Sequence, residues 1–232
     1  MIPVSAISVG SVESFSTGAD AVARLLSAVA WPATVGFVVL IFFPVLRKRL
    51  ENSDVTVKGA GFELMLRQSR AAANLGAAVQ RSGSGNPSEV ASAVAEAGLV
   101  DPARLASATV LWVDDHPENN EYERSSLLAL GIKVVSVRTN AEAERELKAA
   151  RFPVVITDLG RNIEGEQDPD AGYKTVALVR EAGGDAECIV YAGRRVENET
   201  ERRRLREAGA SVATDRPAEL LSAVVGAIAS TH

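Results

Sequence analysis

The chain has 232 residues and a formal net charge of -5 at pH 7, which leaves room for one ordinary domain of about 120 residues plus accessory segments. That charge, with a pI near 5.3, excludes a nucleic-acid binder held by global neutralisation of phosphates. The lone cysteine, Cys188, excludes an internal disulfide, and the two histidines, His116 and His232, exclude a histidine-rich metal site.

Residues 1–24 are small and polar with scattered apolar positions, too little hydrophobic surface to fold alone. They read as a short extracytoplasmic tail. Residues 25–46, "LLSAVAWPATVGFVVLIFFPVL", run for 22 positions without a charge. As a helix they rise roughly 33 Å, enough to cross a hydrocarbon core of about 30 Å. A cleaved signal peptide fits less well, because the run exceeds the usual apolar stretch of about 7 to 15 residues. The "RKR" at 47–49, followed by Lys58, Arg67 and Arg70, outweighs Arg24 upstream. The positive-inside rule then places the remainder in the cytoplasm, a single-pass protein of the inner membrane.

Residues 47–66 read as a basic flank and a β-hairpin, from two short alternating runs around Lys58-Gly59-Ala60-Gly61. An isolated hairpin is marginal in water, which suggests a partner surface such as the membrane face or a second copy of the chain. Residues 67–104 read as a helical stalk with a flexible linker. The alanine-rich stretch from Arg67 to Gln80 favours helix, "RSGSGNPSE" breaks it, and Asn86 with Pro87 suits the cap and first turn of another helix ending near Gly98.

From residue 105 to 230 short apolar runs alternate with helical patterns. "TVLWVDD", "KVVSVRT", "PVVITD", "ECIVYAG" and "SVAT" are the expected strands, and helices are expected near 118–131, 140–150, 171–182, 197–208 and 217–229. Nearly continuous Val and Ile in strands that alternate with helices predict an α/β fold, a parallel doubly wound sheet covered on both faces. Thr139 and Glu142 have the spacing of a capping box, and Leu220, Leu221, Val224, Val225 and Ile228 form one apolar helix face. Trp112 and Cys188 lie in apolar runs and are expected in the core.

Ligands of such sheets bind beyond the carboxyl ends of the strands. Asp114 and Asp115 end the first expected strand and Asp158 ends the third. With strand order 2-1-3-4-5 the three carboxylates converge at one edge, and acidic oxygens in that number suit an octahedral hard cation such as Mg2+. Capping explains at most one carboxylate at each strand end. Arg161, three residues past Asp158, is a candidate internal counter-ion.

Residues 109–230 resemble a response-regulator receiver domain, a flavodoxin-like fold, through the acidic pair Asp114-Asp115 in "VLWVDDHPEN" and the single aspartate Asp158 after the third strand. The resemblance implies that Asp158 is a phosphoacceptor, that Asp115 is the more direct metal ligand with Asp114 assisting through water, and that the backbone carbonyl of Gly160 completes the site. It also implies partners: a histidine kinase or a downstream signalling protein, with no nucleic acid. The sequence departs from that family at three places. Ala192 in "VYAG" stands where the family has Ser or Thr, and Arg216 before Pro217 stands where it has Lys. The loop "DLGRNIEGEQDPDAGYK" is longer than is typical. Ala donates no hydrogen bond, and Arg lacks the compact ammonium of Lys. Alternatively, Asp215 caps the last helix and Arg216 points outward.

The chain therefore reads as a membrane-anchored, atypical receiver protein and is not expected to be an enzyme. Two functions stay open beside phosphorylation of Asp158: an interaction scaffold that never carries a phosphoryl group, and a metal-dependent phosphohydrolase, which Gly at position 160 disfavours. The charge-dense helix from Glu197 to Gly209 reads as a solvated face. Arg194 and Arg195 lie beside the expected site, where they either meet an anion or face solvent.

Overall fold

In the computed structural model, residues 55–231 are described, apart from 164, 183, 184, 194, 195 and 197. The apolar segment 25–46, the basic run at 47–49, and Arg194 and Arg195 lie outside the described residues. Among those described, no helix is long and apolar enough to cross a membrane.

Helix α1 (Val55–Ser82) leads into α2 (Pro87–Ala97) and the short α3 (Pro102–Ser107). Strand β1 (Thr109–Val113) is followed by a 3-10 turn (Pro117–Asn120), α4 (Glu121–Ala129), β2 (Lys133–Val137), α5 (Asn140–Ala149) and β3 (Val154–Thr157). A hairpin of β4 (Arg161–Ile163) and β5 (Glu166–Asp168) precedes α6 (Ala171–Glu181), β6 (Glu187–Tyr191), α7 (Glu199–Glu207), β7 (Val212–Thr214) and α8 (Pro217–Ser230).

The main sheet is parallel throughout, in the order β2-β1-β3-β6-β7. This is the expected 2-1-3-4-5 arrangement. Val110 pairs with Val134 on one side and Val154 on the other, so β1 is central and its last four residues are buried. The two-residue period of the strands sorts the core into two halves. Val110, Trp112, Ile156 and Ile189 face α4 and α8, while Leu111, Val113, Val155 and Val190 face the side of α5, α6 and α7. Trp112 is 1% exposed and meets Tyr191 edge to face, with ring centroids 6.2 Å apart. Cys188 is fully buried, and burial pushes its thiol up to about 12, an inert group. The capping box forms as expected, Thr139 Oγ1 accepting from Glu142 N while Glu142 accepts from Thr139 N.

Two N-terminal features differ from expectation. The alternating runs over 55–66 do not make a hairpin: Val55–Ser82 is one continuous helix. Over so few residues an alternating pattern fits either period, and the alanine-rich segment that follows nucleates a helix which then extends backward at little cost per residue. Gly59 and Gly61 have no neighbour within 4 Å of where a Cβ would stand, so the only expense there is their intrinsic helix penalty of about 1 kcal/mol each.

The stretch 67–104 is also no free stalk. Residues 60–232 form one compact unit, in which Ala71, Leu75, Ala78, Val90, Ala93, Val94 and Ala97 are buried. Positions 71, 75 and 78, and 90, 93, 94 and 97, repeat at helical spacing, so each helix lays one stripe inward. Helix α2 packs along α8, whose Leu220, Leu221, Val224, Val225 and Ile228 are all 3% exposed or less. That helix is apolar on two faces because it lies between the sheet and α2. The linker is a structured turn: Gly83 and Gly85 take the left-handed backbone (φ 71° and 108°), and Asn86 Oδ1 accepts from Ser88 N and Glu89 N at 3.0 and 3.1 Å.

Candidate metal and phosphoacceptor site

Asp114 and Asp115 leave the carboxyl end of β1, and Asp158 leaves that of its neighbour β3. One carboxylate oxygen of each lies within 4.8 Å of the other two. The pocket around them, about 440 Å3, is also lined by Gly160, His116, Asn120, Glu123, Tyr191 and Asp215, and by Arg81, Ser82 and Ser84 from the N-terminal helix and its turn.

Three elements hold the carboxylates. Asp114 Oδ1 accepts from His116 N at 2.8 Å, and Asn120 Nδ2 donates to its Oδ2. Asp115 Oδ2 accepts from Asn162 N, the middle residue of β4, at 2.7 Å. Asp158 Oδ1 accepts from Arg161 Nε at 2.6 Å. The segment carrying Asp158 is seated by Gly172 at the start of α6, where a Cβ would collide with the Asp158 carbonyl.

Arg161 is the counter-ion that its position in the sequence suggested. Its side chain is fully buried, and its guanidinium donates to Asn140 Oδ1 at 2.6 Å, to Thr175 Oγ1 at 2.9 Å and to Thr157 Oγ1. The β4–β5 hairpin, which the sequence did not announce, makes this reach possible by pairing Arg161 with Asp168 and turning the chain back over the sheet edge. Even so, burial pushes Asp158 up from an ordinary 3.8 to about 7, the charges of Asp114 and Asp115 adding to it and Arg161 opposing. Burial likewise raises Asp114, with Asp115 contributing, against the hydrogen bonds it accepts. Adjacent acidic groups thus persist because one buried cation, backbone donors and partial protonation share the cost.

Of the residues singled out in the sequence, the structure brings Asp114, Asp115, Asp158 and Gly160 together, with Arg161 behind Asp158. Ala192 and Arg216 are not among the described residues lining the pocket. Ala192 packs against the core half on the α5–α7 side. Arg216 points outward, half exposed, with its guanidinium 3.5 Å from Glu89 on α2. Asp215 does not cap α8. The backbone N–H of Arg216 donates to Thr214 Oγ1 instead, and Asp215 accepts from Ser84 Oγ at 2.8 Å with Arg202 3.6 Å away.

Sequence reasoning missed Arg81, Ser84 and Glu123. Glu123 is 3% exposed and raised by burial; it accepts from Tyr191 OH at 2.8 Å and faces Arg81 at 3.4 Å. Its partners stand 42 and 68 positions away in the chain, so no local spacing could reveal them.

The donor set, all oxygen and rich in carboxylate, fits a hard divalent cation such as Mg2+ and not a soft metal. Asp115→Asn is expected to weaken Mg2+ binding at least tenfold, and calorimetric titration of the variant against wild type checks it.

Strand order and carboxylate placement define a class: a doubly wound α/β domain with an acidic pocket between its first and third parallel strands. No protein-family model matches the sequence, and no curated protein matches it. Similar solved structures are response regulators. One from Thermotoga maritima, in complex with Mg(2+)-BeF, is 20% identical, over 52% of this chain and 98% of that one, with a TM-score of 0.42. The non-phosphorylated HemR receiver domain of Leptospira biflexa is 21% identical, over 54% and 98%, with a TM-score of 0.44. A response regulator of Burkholderia pseudomallei with a phosphorylated aspartic acid, calcium ion and citrate is 20% identical, over 51% of this chain and 66% of that one, with a TM-score of 0.42. At these identities the likeness is one of fold.

Proposed function

We propose that the chain is a signal-transduction protein, tethered to the inner membrane by residues 25–46, whose cytoplasmic receiver-like domain accepts a phosphoryl group on Asp158. The observation that carries this reading is the convergence of Asp114, Asp115 and Asp158 within 4.8 Å at the carboxyl edge of the sheet. Asp114, Asp115 and Asp158, with the Gly160 carbonyl, would hold Mg2+. When bound, Mg2+ would offset their mutual repulsion and neutralise charge on the transferring oxygens.

The chain's own residues do the rest. A carboxylate oxygen of Asp158 attacks the phosphorus of a donor, either a phosphohistidine on a partner kinase or a small acyl phosphate. The bond from phosphorus to the donor breaks, its electron pair leaves with the donor, and Asp158 becomes an acyl phosphate. Arg161 holds the other oxygen of Asp158 and keeps the carboxyl oriented through the attack. A downstream protein, or a second copy of the chain, then reads the modified domain.

A second reading has its own observation. Arg161 already neutralises Asp158 from within, Ala192 has no hydroxyl, and Arg216 is committed to Glu89. These favour an interaction scaffold that carries no phosphoryl group. Incubating the full-length chain with Mg2+ and beryllofluoride, or with acetyl phosphate, separates the readings by intact-mass and fluorine NMR measurements. A stoichiometric adduct that disappears in Asp158→Asn is the expected result. No adduct leaves the scaffold, and sustained phosphate release identifies a phosphohydrolase.

A further inference from the structure

We infer that the carboxyl end of α1 is a latch on the carboxylate pocket, released when a divalent cation binds there; the inference rests on the reading of that pocket as a cation site. Arg81, in the last turn of α1, lies on the pocket wall. Its guanidinium donates to the Asn119 carbonyl, stands 3.4 Å from Glu123 Oε2, and sits 4.9 Å from the centre of the Tyr122 ring. Two residues past the helix, Ser84 Oγ donates at 2.8 Å to Oδ2 of Asp215, which also lines the pocket. The end of α1 and the turn after it are thus tied to the pocket wall at two points.

Two features make this docking and a bound cation mutually unfavourable. The first is charge: Arg81 places a permanent positive charge on the wall of the same pocket, of about 440 Å3, that the cation would enter, and like charges repel. The second is geometry. Asn120 Nδ2 donates to Asp114 Oδ2, so the positive end of an amide dipole already occupies a carboxylate oxygen that a cation would draw on. Asn120 belongs to the Pro117–Asn120 turn, and Asn119 of that turn is what Arg81 grips. Drawing Asp114 toward a cation pulls on Asn120, and through the turn on the Arg81 contact.

Coupling of this kind is reciprocal: what loosens α1 must strengthen cation binding by the same factor. Residues 1–54 join the domain in sequence through α1, so a signal arriving from that segment has a direct covalent route to the pocket, and pocket occupancy has a route back.

The experiment uses the full-length chain, with Mg2+ as the probe. Arg81 is 40% exposed in its side chain, so Arg81→Met leaves the core intact, which circular dichroism verifies. Arg81→Met is expected to bind Mg2+ about fivefold more tightly than wild type by calorimetry, a coupling at the lower end of the usual range. Saturating Mg2+ is expected to speed amide hydrogen exchange in wild type over residues 76–85. Both results together support the latch. Unchanged or slower exchange over 76–85 in Mg2+-bound protein overturns it, as does an Arg81→Met affinity equal to or weaker than wild type. If neither protein binds Mg2+, the cation-site reading falls and the latch falls with it.

Discussion

Arg161→Met is expected to cost the metal-free domain about 3–5 kcal/mol at pH 8, the usual penalty for removing one member of a buried ion pair. The Arg161 side chain is fully buried and that of Asp158 is 16% exposed, so water replaces little of the lost contact. Asn140, Thr157 and Thr175 lose a donor as well. The penalty carries a pH signature. Asp158 is raised in the folded protein from 3.8 to about 7, so its contribution to stability is fully present below about pH 4 and is lost as pH rises through about 7. Removing Arg161 removes an influence that lowers this value, so the loss becomes larger and continues to higher pH. The variant is therefore expected to lie closer to wild type at pH 5, where Asp158 takes up a proton, than at pH 8. Asp158→Asn added to Arg161→Met should recover part of the deficit at pH 8. Urea unfolding with a chelator at both pH values measures all of this. Equal deficits at pH 5 and pH 8 would show that the ion pair is not the cause.

The second large effect concerns the N-terminal helices. Leu75→Ala is expected to destabilise the domain by about 2–5 kcal/mol, since Leu75 is 1% exposed among Ala71, Val90, Val94 and the α8 residues, and its loss opens a cavity. A chain beginning at residue 105, the boundary that the sequence pattern suggests, should fare worse still. It would uncover the face of α8 that now packs along α2. Such a fragment is expected to bind a hydrophobic dye and to unfold at lower denaturant than one beginning at residue 60. An unchanged unfolding midpoint would show that α1 and α2 rest on the domain without stabilising it.

The parts that the sequence determined alone are those written in local periods. The Val- and Ile-rich runs at 110–113, 154–157 and 187–191 could be placed because a strand buried on both faces is apolar at nearly every position. Thr139 with Glu142, and Asn86 with Pro87, marked helix starts because caps act over three residues. The carboxylate triplet was legible because the sheet order that the pattern implies brings the ends of strands one and three side by side, and because Arg161 lies one short turn from the aspartate it neutralises. Contacts between distant parts of the chain were decided only by tertiary structure. The alternation at 55–66 is too short to choose a period, and the helix prevailed because the packed segment beyond it propagates. The face on which α1 and α2 lie is set by the second apolar stripe of α8, whose partner is some 130 residues earlier. The wall of the pocket formed by Arg81, Ser84 and Glu123 depends on side chains that meet only after that docking, because a hydrogen bond or ion pair is specified by position in space and leaves no periodic trace in the chain.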